Sequence, residues 1–158
     1  MNKSITIIGI NYYPEDTAIG LYTSQLAVYL SDNGFEVSII TGFPYYPAWR
    51  IHDNYKDKSR FYKETINDIT VYRYKQYVPR DPTFLKRILH LIDFTFGCLI
   101  NVFKIKQTDL VLCIVPFTST IFPSKLLAKL KKAKLWIHIQ DFELDAAIES
   151  NLVSNNNL

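Results

Sequence analysis

The chain is short of the residues that build metal clusters, redox pairs and nucleotide-binding glycine loops. It has two cysteines, Cys98 and Cys113, in apolar surroundings and without a spacing that suggests zinc or redox chemistry. They read as small buried hydrophobes in a reducing compartment. His52, His90 and His138 fall on a loop, a helix and a strand, and no ligand spacing links them, so no metal is expected. Only five glycines occur in 158 residues. The first turn therefore lacks G-x-G-x-x-G, and no acidic residue closes the second strand to hold a ribose; a Walker phosphate loop is missing as well. These absences argue against a nucleotide-dependent oxidoreductase. A formal charge of +3 is too weak to argue for nucleic acid. Met-Asn-Lys leads straight into a strand, so no signal peptide is expected and the cytoplasm is the default.

Apolar and aromatic residues are plentiful. At 158 residues and 48% hydrophobic content, a single domain is expected, burying roughly 68–70% of its unfolded surface. Aromatic residues make up 15%, with 11 Tyr and 10 Phe, and many fall in Phe43–Tyr62, a stretch that does not read as core.

Ser4–Leu30 organises the rest. Ile5–Ile10 is a nearly continuous β-branched run, the pattern of a strand covered on both faces. A polar turn with Pro14, Glu15, Asp16 and Thr17 follows. An amphipathic helix then starts near Asp16 or Thr17, with Ile19, Tyr22, Leu26 and Leu30 on one face. Asn33-Gly34 stops it, and Glu36–Thr41 is a second strand, completing a right-handed βαβ unit. The helix N-terminus has unpaired N–H groups that suit a phosphate, and Gly20 removes a side chain where something might approach. The alternative is an ordinary first βα unit of a doubly wound sheet.

After Gly42, F-P-Y-Y-P-A-W-R is a loop at the C-terminal end of the second strand. Its rings and Arg50 either meet a sugar face or phosphate, or pack on each other to hold the loop. Phe61–Thr65 and Ile69–Lys75 read as a hairpin or an irregular strand pair around Asn67-Asp68, with Ile69, Val71 and Arg73 on one face. A long apolar helix opens at Pro82 or Thr83 and covers Phe84–Lys106. Its charges exclude a membrane span, leaving a core helix, mainly, or a helix lying partly on a membrane surface with Lys86, Arg87, Lys104 and Lys106 near headgroups. Asp109–Val115 and Ala133–Ile139 are further strands, flanking a helix that Thr118 or Ser119 caps and that runs to Lys131. The alternation argues for an α/β fold, a Rossmann-like, doubly wound, mainly parallel sheet. Residues 1–150 form the domain, and 151–158 are a polar tail expected to fray. The turn at Pro14–Gly20, the loop Phe43–Arg50, the turn Pro116–Thr120 and Gln140–Asp145 converge on one sheet edge, where ligands of such sheets sit. Asp141 is the best placed carboxylate there, either for a polar role or as a helix cap.

N-Y-Y-P-E-D-T-A-I-G-L-Y-T at 11–23, G-F-P-Y-Y-P-A-W-R at 42–50 and H-I-Q-D-F-E-L-D-A-A at 138–147 resemble the N-terminal half of family-four glycosyltransferases, retaining enzymes of the GT-B fold. The nearest pattern is the branch for colanic acid, capsule and O-antigen biosynthesis. The resemblance implies an acceptor-side domain of a two-domain enzyme whose donor domain would lie in a further part of the chain, so that these residues alone should not catalyse transfer. It implies a nucleotide-sugar donor, a lipid-linked saccharide acceptor and no metal. Thr17, Ile19 and Gly20 match the loop that approaches the donor diphosphate. Tyr13, Tyr45, Tyr46, Trp49 and Arg50 match an acceptor-contacting aromatic segment, and Asp141 matches an acidic position that orients or deprotonates the acceptor hydroxyl. A non-catalytic Rossmann-like binding or scaffold module is the rival reading.

Overall fold

In the computed structural model, residues 3–16, 18–115 and 118–140 are described. Six strands form one sheet: β1 (Ser4–Ile8), β2 (Glu36–Gly42), β3 (Phe61–Ile66), β4 (Ile69–Tyr74), β5 (Leu110–Val115) and β6 (Lys134–Ile139). Their spatial order is β3-β4-β2-β1-β5-β6, and all pairs are parallel except β3 with β4. The helices are α1 (Ala18–Asp32), α2 (Phe84–Val102) and α3 (Ile121–Lys131). The doubly wound, mainly parallel sheet expected from the strand–helix alternation is thus present.

Handedness decides which helix covers which face. The step from β1 through α1 to β2 runs one way along the sheet, whereas β4–α2–β5 and β5–α3–β6 run the other way. Right-handed crossovers in opposite directions put α1 on one face and α2 with α3 on the other. Strand alternation feeds both. Ile5, Ile7, Ile39, Val71 and Leu112 pack on the α1 side, with Ile19, Leu26 and Leu30 of the helix against them. Ile8, Ile10 and Ile40 pack on the other side with Phe94, Cys98 and Val102 of α2 and Leu127 of α3. Each fully buried aliphatic side chain contributes about 1.5–3 kcal/mol. Both cysteines are free and buried.

The α1 face differs from expectation at its centre. Tyr22 is 61% exposed, and the buried residues are Gly20, Thr23 and Ala27. Small side chains at helical spacing let the helix backbone approach the sheet, and apolar periodicity cannot register them. The hairpin turn is as the sequence suggests: Asn67 and Asp68 both have positive φ, 49° and 60°, the geometry of a tight two-residue turn. At the start of α2, Thr83 holds the N-cap position without a side-chain cap bond. A single turn of 3-10 helix, Thr118–Thr120, precedes α3, whose N-cap position falls to Thr120.

Candidate active-site edge

The carboxyl ends of β1, β2, β4, β5 and β6 share one edge, and the direction of chain crossover reverses between β1 and β5. In open α/β sheets a ligand crevice lies outside the carboxyl ends at that reversal. The turn after β1 and the loop after β2 therefore form one wall of the candidate site.

These two segments are joined by a buried acid. Glu15 is 3% exposed. Its Oε1 accepts the backbone N–H groups of Tyr45 at 2.7 Å and Tyr46 at 2.8 Å, and its Oε2 accepts Asn11 Nδ2 at 2.8 Å. Three donors and no acceptor face the group, so the ionised form satisfies this wiring. Burial nevertheless raises the carboxyl above its ordinary value, opposed by the N–H groups of Tyr46 and Tyr45, by Asn11 and by His52. Gly20 belongs to the same arrangement. A Cβ there would lie 2.8 Å from Glu15 Cβ and 2.9 Å from the Glu15 carbonyl oxygen. The close approach at Gly20 is thus made by the protein's own acid, at the first turn of α1.

A buried base fixes the other flank. Arg73, wholly buried, donates to Glu64, to the Gly42 carbonyl at 3.1 Å and to the Tyr13 carbonyl, linking β4 to β3, to the end of β2 and to the turn after β1. Its guanidinium lies 4.9 Å from the Tyr55 ring and 5.9 Å from that of Tyr12. Burial pushes both phenols up to about 12.

The aromatic loop divides into an inner and an outer set. Phe43, Tyr45 and Tyr55 are buried, which corrects the expectation that Phe43–Tyr62 lies outside the core. Tyr45 is 2% exposed and meets Trp49 at 5.3 Å and His90 at 4.7 Å between ring centroids. His90, from α2, directs Nδ1 to the Tyr77 carbonyl, and burial lowers its imidazole below the usual value, against the opposing effects of that carbonyl and of Asp93. Tyr46 and Arg50 face outward, and half-buried Trp49 has the Arg87 guanidinium 5.3 Å above its ring. Arg50 pairs with Asp53 at 4.0 Å on an open surface.

Of the residues singled out from sequence, Tyr45, Tyr46, Trp49 and Arg50 are therefore brought together, the first as support and the others as rim. Tyr13 stands apart: its exposed ring lines a groove of about 340 Å³ between α1 and the β3–β4 turn, with Tyr29 and Asn67. That groove lies along the flank of α1, away from the rim. Ile19 is half-buried against the α1-side core. Thr17 and Asp141 lie outside the described residues. Glu15, Arg73, His90 and Arg87 were not selected as site residues from sequence. The alternation placing Arg73 beside Ile69 and Val71 on a covered face was the available signal for one of them. Among the described residues no group of three or more His, Cys, Asp or Glu is arranged to hold a metal.

No family model matches the chain. It is 39% identical over 146 residues to "Putative colanic acid biosynthesis glycosyl transferase WcaI" of Escherichia coli (strain K12), covering 91% of the chain and 35% of that protein. The chain thus spans about a third of the length of this relative. The catalytic domain of starch synthase IV from Arabidopsis thaliana, solved with ADP and acarbose, superposes with a TM-score of 0.66 at 15% identity, over 90% of the chain and 35% of that structure. Sucrose-phosphate synthase from Thermosynechococcus elongatus gives 0.58 at 14% identity, over 98% and 36%. At such identities these two establish the fold, and both are glycosyltransferases of the GT-B fold. By sequence similarity across nearly its whole length and by fold, the chain is glycosyltransferase-like, a domain of the kind from which GT-B enzymes are built.

Proposed function

We propose that the chain is the acceptor-binding, N-terminal domain of a retaining glycosyltransferase. The enzyme moves a sugar from a nucleotide-sugar to a lipid-linked saccharide in capsule, O-antigen or exopolysaccharide biosynthesis, at the cytoplasmic face of the membrane. The 39% identity to a colanic acid glycosyl transferase over 91% of the chain carries this reading. The rim supports it: Tyr46 and Trp49 offer ring faces and Arg50 and Arg87 offer charge, the chemistry that holds a sugar and its pyrophosphate. Glu15, Arg73 and His90 hold that rim still, so that binding need not also order the loop.

On this reading Asp141 orients or deprotonates the acceptor hydroxyl. Thr17, Ile19 and Gly20 form the acceptor domain's side of the donor-phosphate site, contributed through backbone N–H groups. Positioning of the two substrates and electrostatic stabilisation of the departing nucleoside diphosphate supply the catalysis, and the hydroxyl attacks the face from which the leaving group departs. No metal takes part, so a chelator leaves the rate unchanged. The test is transfer by the full-length protein from a nucleotide-sugar to a polyprenyl-pyrophosphoryl saccharide, with the anomer of the product read by NMR. A product with the donor's anomeric configuration is expected; an inverted product, or none with any lipid-linked acceptor, contradicts the proposal.

A further inference from the structure

The sequence leaves α2 as a core helix or a surface one, and the structure divides it lengthwise. His90, Phe94, Gly97, Cys98, Asn101 and Val102 face the protein. Gly97 marks how close the inner face comes, since a Cβ there would stand 2.1 Å from the Tyr74 ring. On the opposite side Leu85 (71% exposed), Leu89, Ile92, Phe96 (62%), Ile100 and Phe103 (70%) form a bare stripe. Their spacing of three and four residues puts them on one line, about 27 Å long at 1.5 Å per residue. Phe122 of α3, 63% exposed, lies in the same helical layer. Contiguous exposed apolar surface of this extent marks an interaction site.

Charge identifies the partner. Lys86 and Lys106 stand at the two ends of the stripe, and Lys125 and Lys129 project from α3. Lys104 lies 4.6 Å over the Phe61 ring, and Arg87 belongs to the rim over Trp49. Across both helices the one acid is Asp93, which accepts Tyr74 Oη at 2.8 Å and the Tyr77 N–H at 2.6 Å and pairs with Arg60 at 3.4 Å. It is thus held by the protein and does not offset the lysines. A second copy set against this surface would bring lysine to lysine. An anionic bilayer satisfies both features, with apolar side chains entering the headgroup boundary and cations at its phosphates. No helix among the described residues is long and apolar enough to cross a membrane, so α2 would lie along the surface. We propose that the outer faces of α2 and α3 form a docking surface for an anionic lipid bilayer. The proposal deepens the lipid-linked reading but stands on α2 and α3, and its test needs neither donor nor acceptor.

The full-length protein is co-sedimented with vesicles of phosphatidylcholine containing phosphatidylglycerol, and with vesicles of phosphatidylcholine alone. Binding to the anionic vesicles, weakened by salt, is expected. Leu89→Ser/Phe96→Ser should retain the unfolding midpoint, because both residues are exposed, and should weaken binding roughly tenfold or more. Lys106→Glu/Lys125→Glu should weaken it to a similar extent while leaving the apolar stripe intact. Equal binding to both vesicles, no binding, or unchanged binding by both variants overturns the proposal. So does a dimer, formed without lipid, that Leu89→Ser/Phe96→Ser dissolves. Protection of the Leu89, Phe96 and Ile100 side chains from hydroxyl-radical labelling in the lipid-free protein would assign the face to another part of the chain and also overturn it. Failed docking with intact transfer would leave the transferase reading standing.

Discussion

Glu15 and Arg50 are charged residues on adjacent loops of one sheet edge, and they do opposite work. Glu15 is 3% exposed and has every lone-pair direction that matters filled by backbone and amide donors; the Arg50 side chain is 67% exposed and holds a loose pair with Asp53. An exposed pair of that kind adds little to stability, so Arg50 is free to meet a ligand. The edge therefore separates into a frame (Glu15, Arg73, His90) whose loss costs folding, and a rim (Tyr46, Trp49, Arg50) whose loss should cost binding.

The largest effect should come from the base of the frame. Arg73→Leu leaves Glu64 without its cation and the Tyr13 and Gly42 carbonyls without their donor. Removing one partner of a buried pair costs about 3–5 kcal/mol, read as a lowered denaturation midpoint with an unchanged m-value. Glu15→Gln comes next. It replaces one of the two acceptor oxygens by an NH2 donor, which must face either the Tyr45 and Tyr46 N–H groups or Asn11 Nδ2, and should cost about 1–3 kcal/mol. A fully stable Glu15→Ala protein, which removes both acceptor oxygens, would show that the two loops are held by something else.

His90 gives a smaller, pH-dependent effect. Burial favours its neutral imidazole, so below about 6.5 the unfolded chain takes up more protons than the folded one. Its contribution is fully present above that pH and is lost as pH falls toward the lowered folded value. Glu15 acts with the opposite sign: its raised folded value removes stability as pH rises from 4.5 through that value. Denaturation curves between pH 7 and 5 should lose the His90 part of the slope in His90→Phe, an expectation resting on the direction of shift alone. Smallest of all, Arg50→Ala should change stability by no more than about 0.5 kcal/mol.

Much of this architecture was legible from periodicity. The β-branched runs at Ile5–Ile10 and Asp109–Val115, the Asn67-Asp68 turn and the stop at Gly34 carry local signals, and the structure follows them to within a few residues. The frame was not legible, because its contacts are long-range. In sequence Glu15 is one acid of a polar turn beside Asp16; only contact with backbone 30 and 31 residues away makes it a buried tether. Tyr22 misled because the helix buries a stripe of small residues instead. The rings of the loop Phe43–Arg50 were open to both readings, and the structure divides them, with Phe43 and Tyr45 inside and Tyr46 outside; Tyr55, expected outside the core, is buried. The long apolar helix is core along its inner side, as the main reading had it, and bare along its outer side. The proposed roles of Thr17 and Asp141 fall on residues outside the described structure.

Steady-state kinetics of the full-length protein carrying Arg50→Ala test the division of the edge most directly. The account predicts that KM for a lipid-linked saccharide rises roughly tenfold, the loss of a charge-assisted contact, while KM for the nucleotide-sugar and the unfolding midpoint stay where they are. An unchanged acceptor KM, or a rise confined to the nucleotide-sugar, would contradict it.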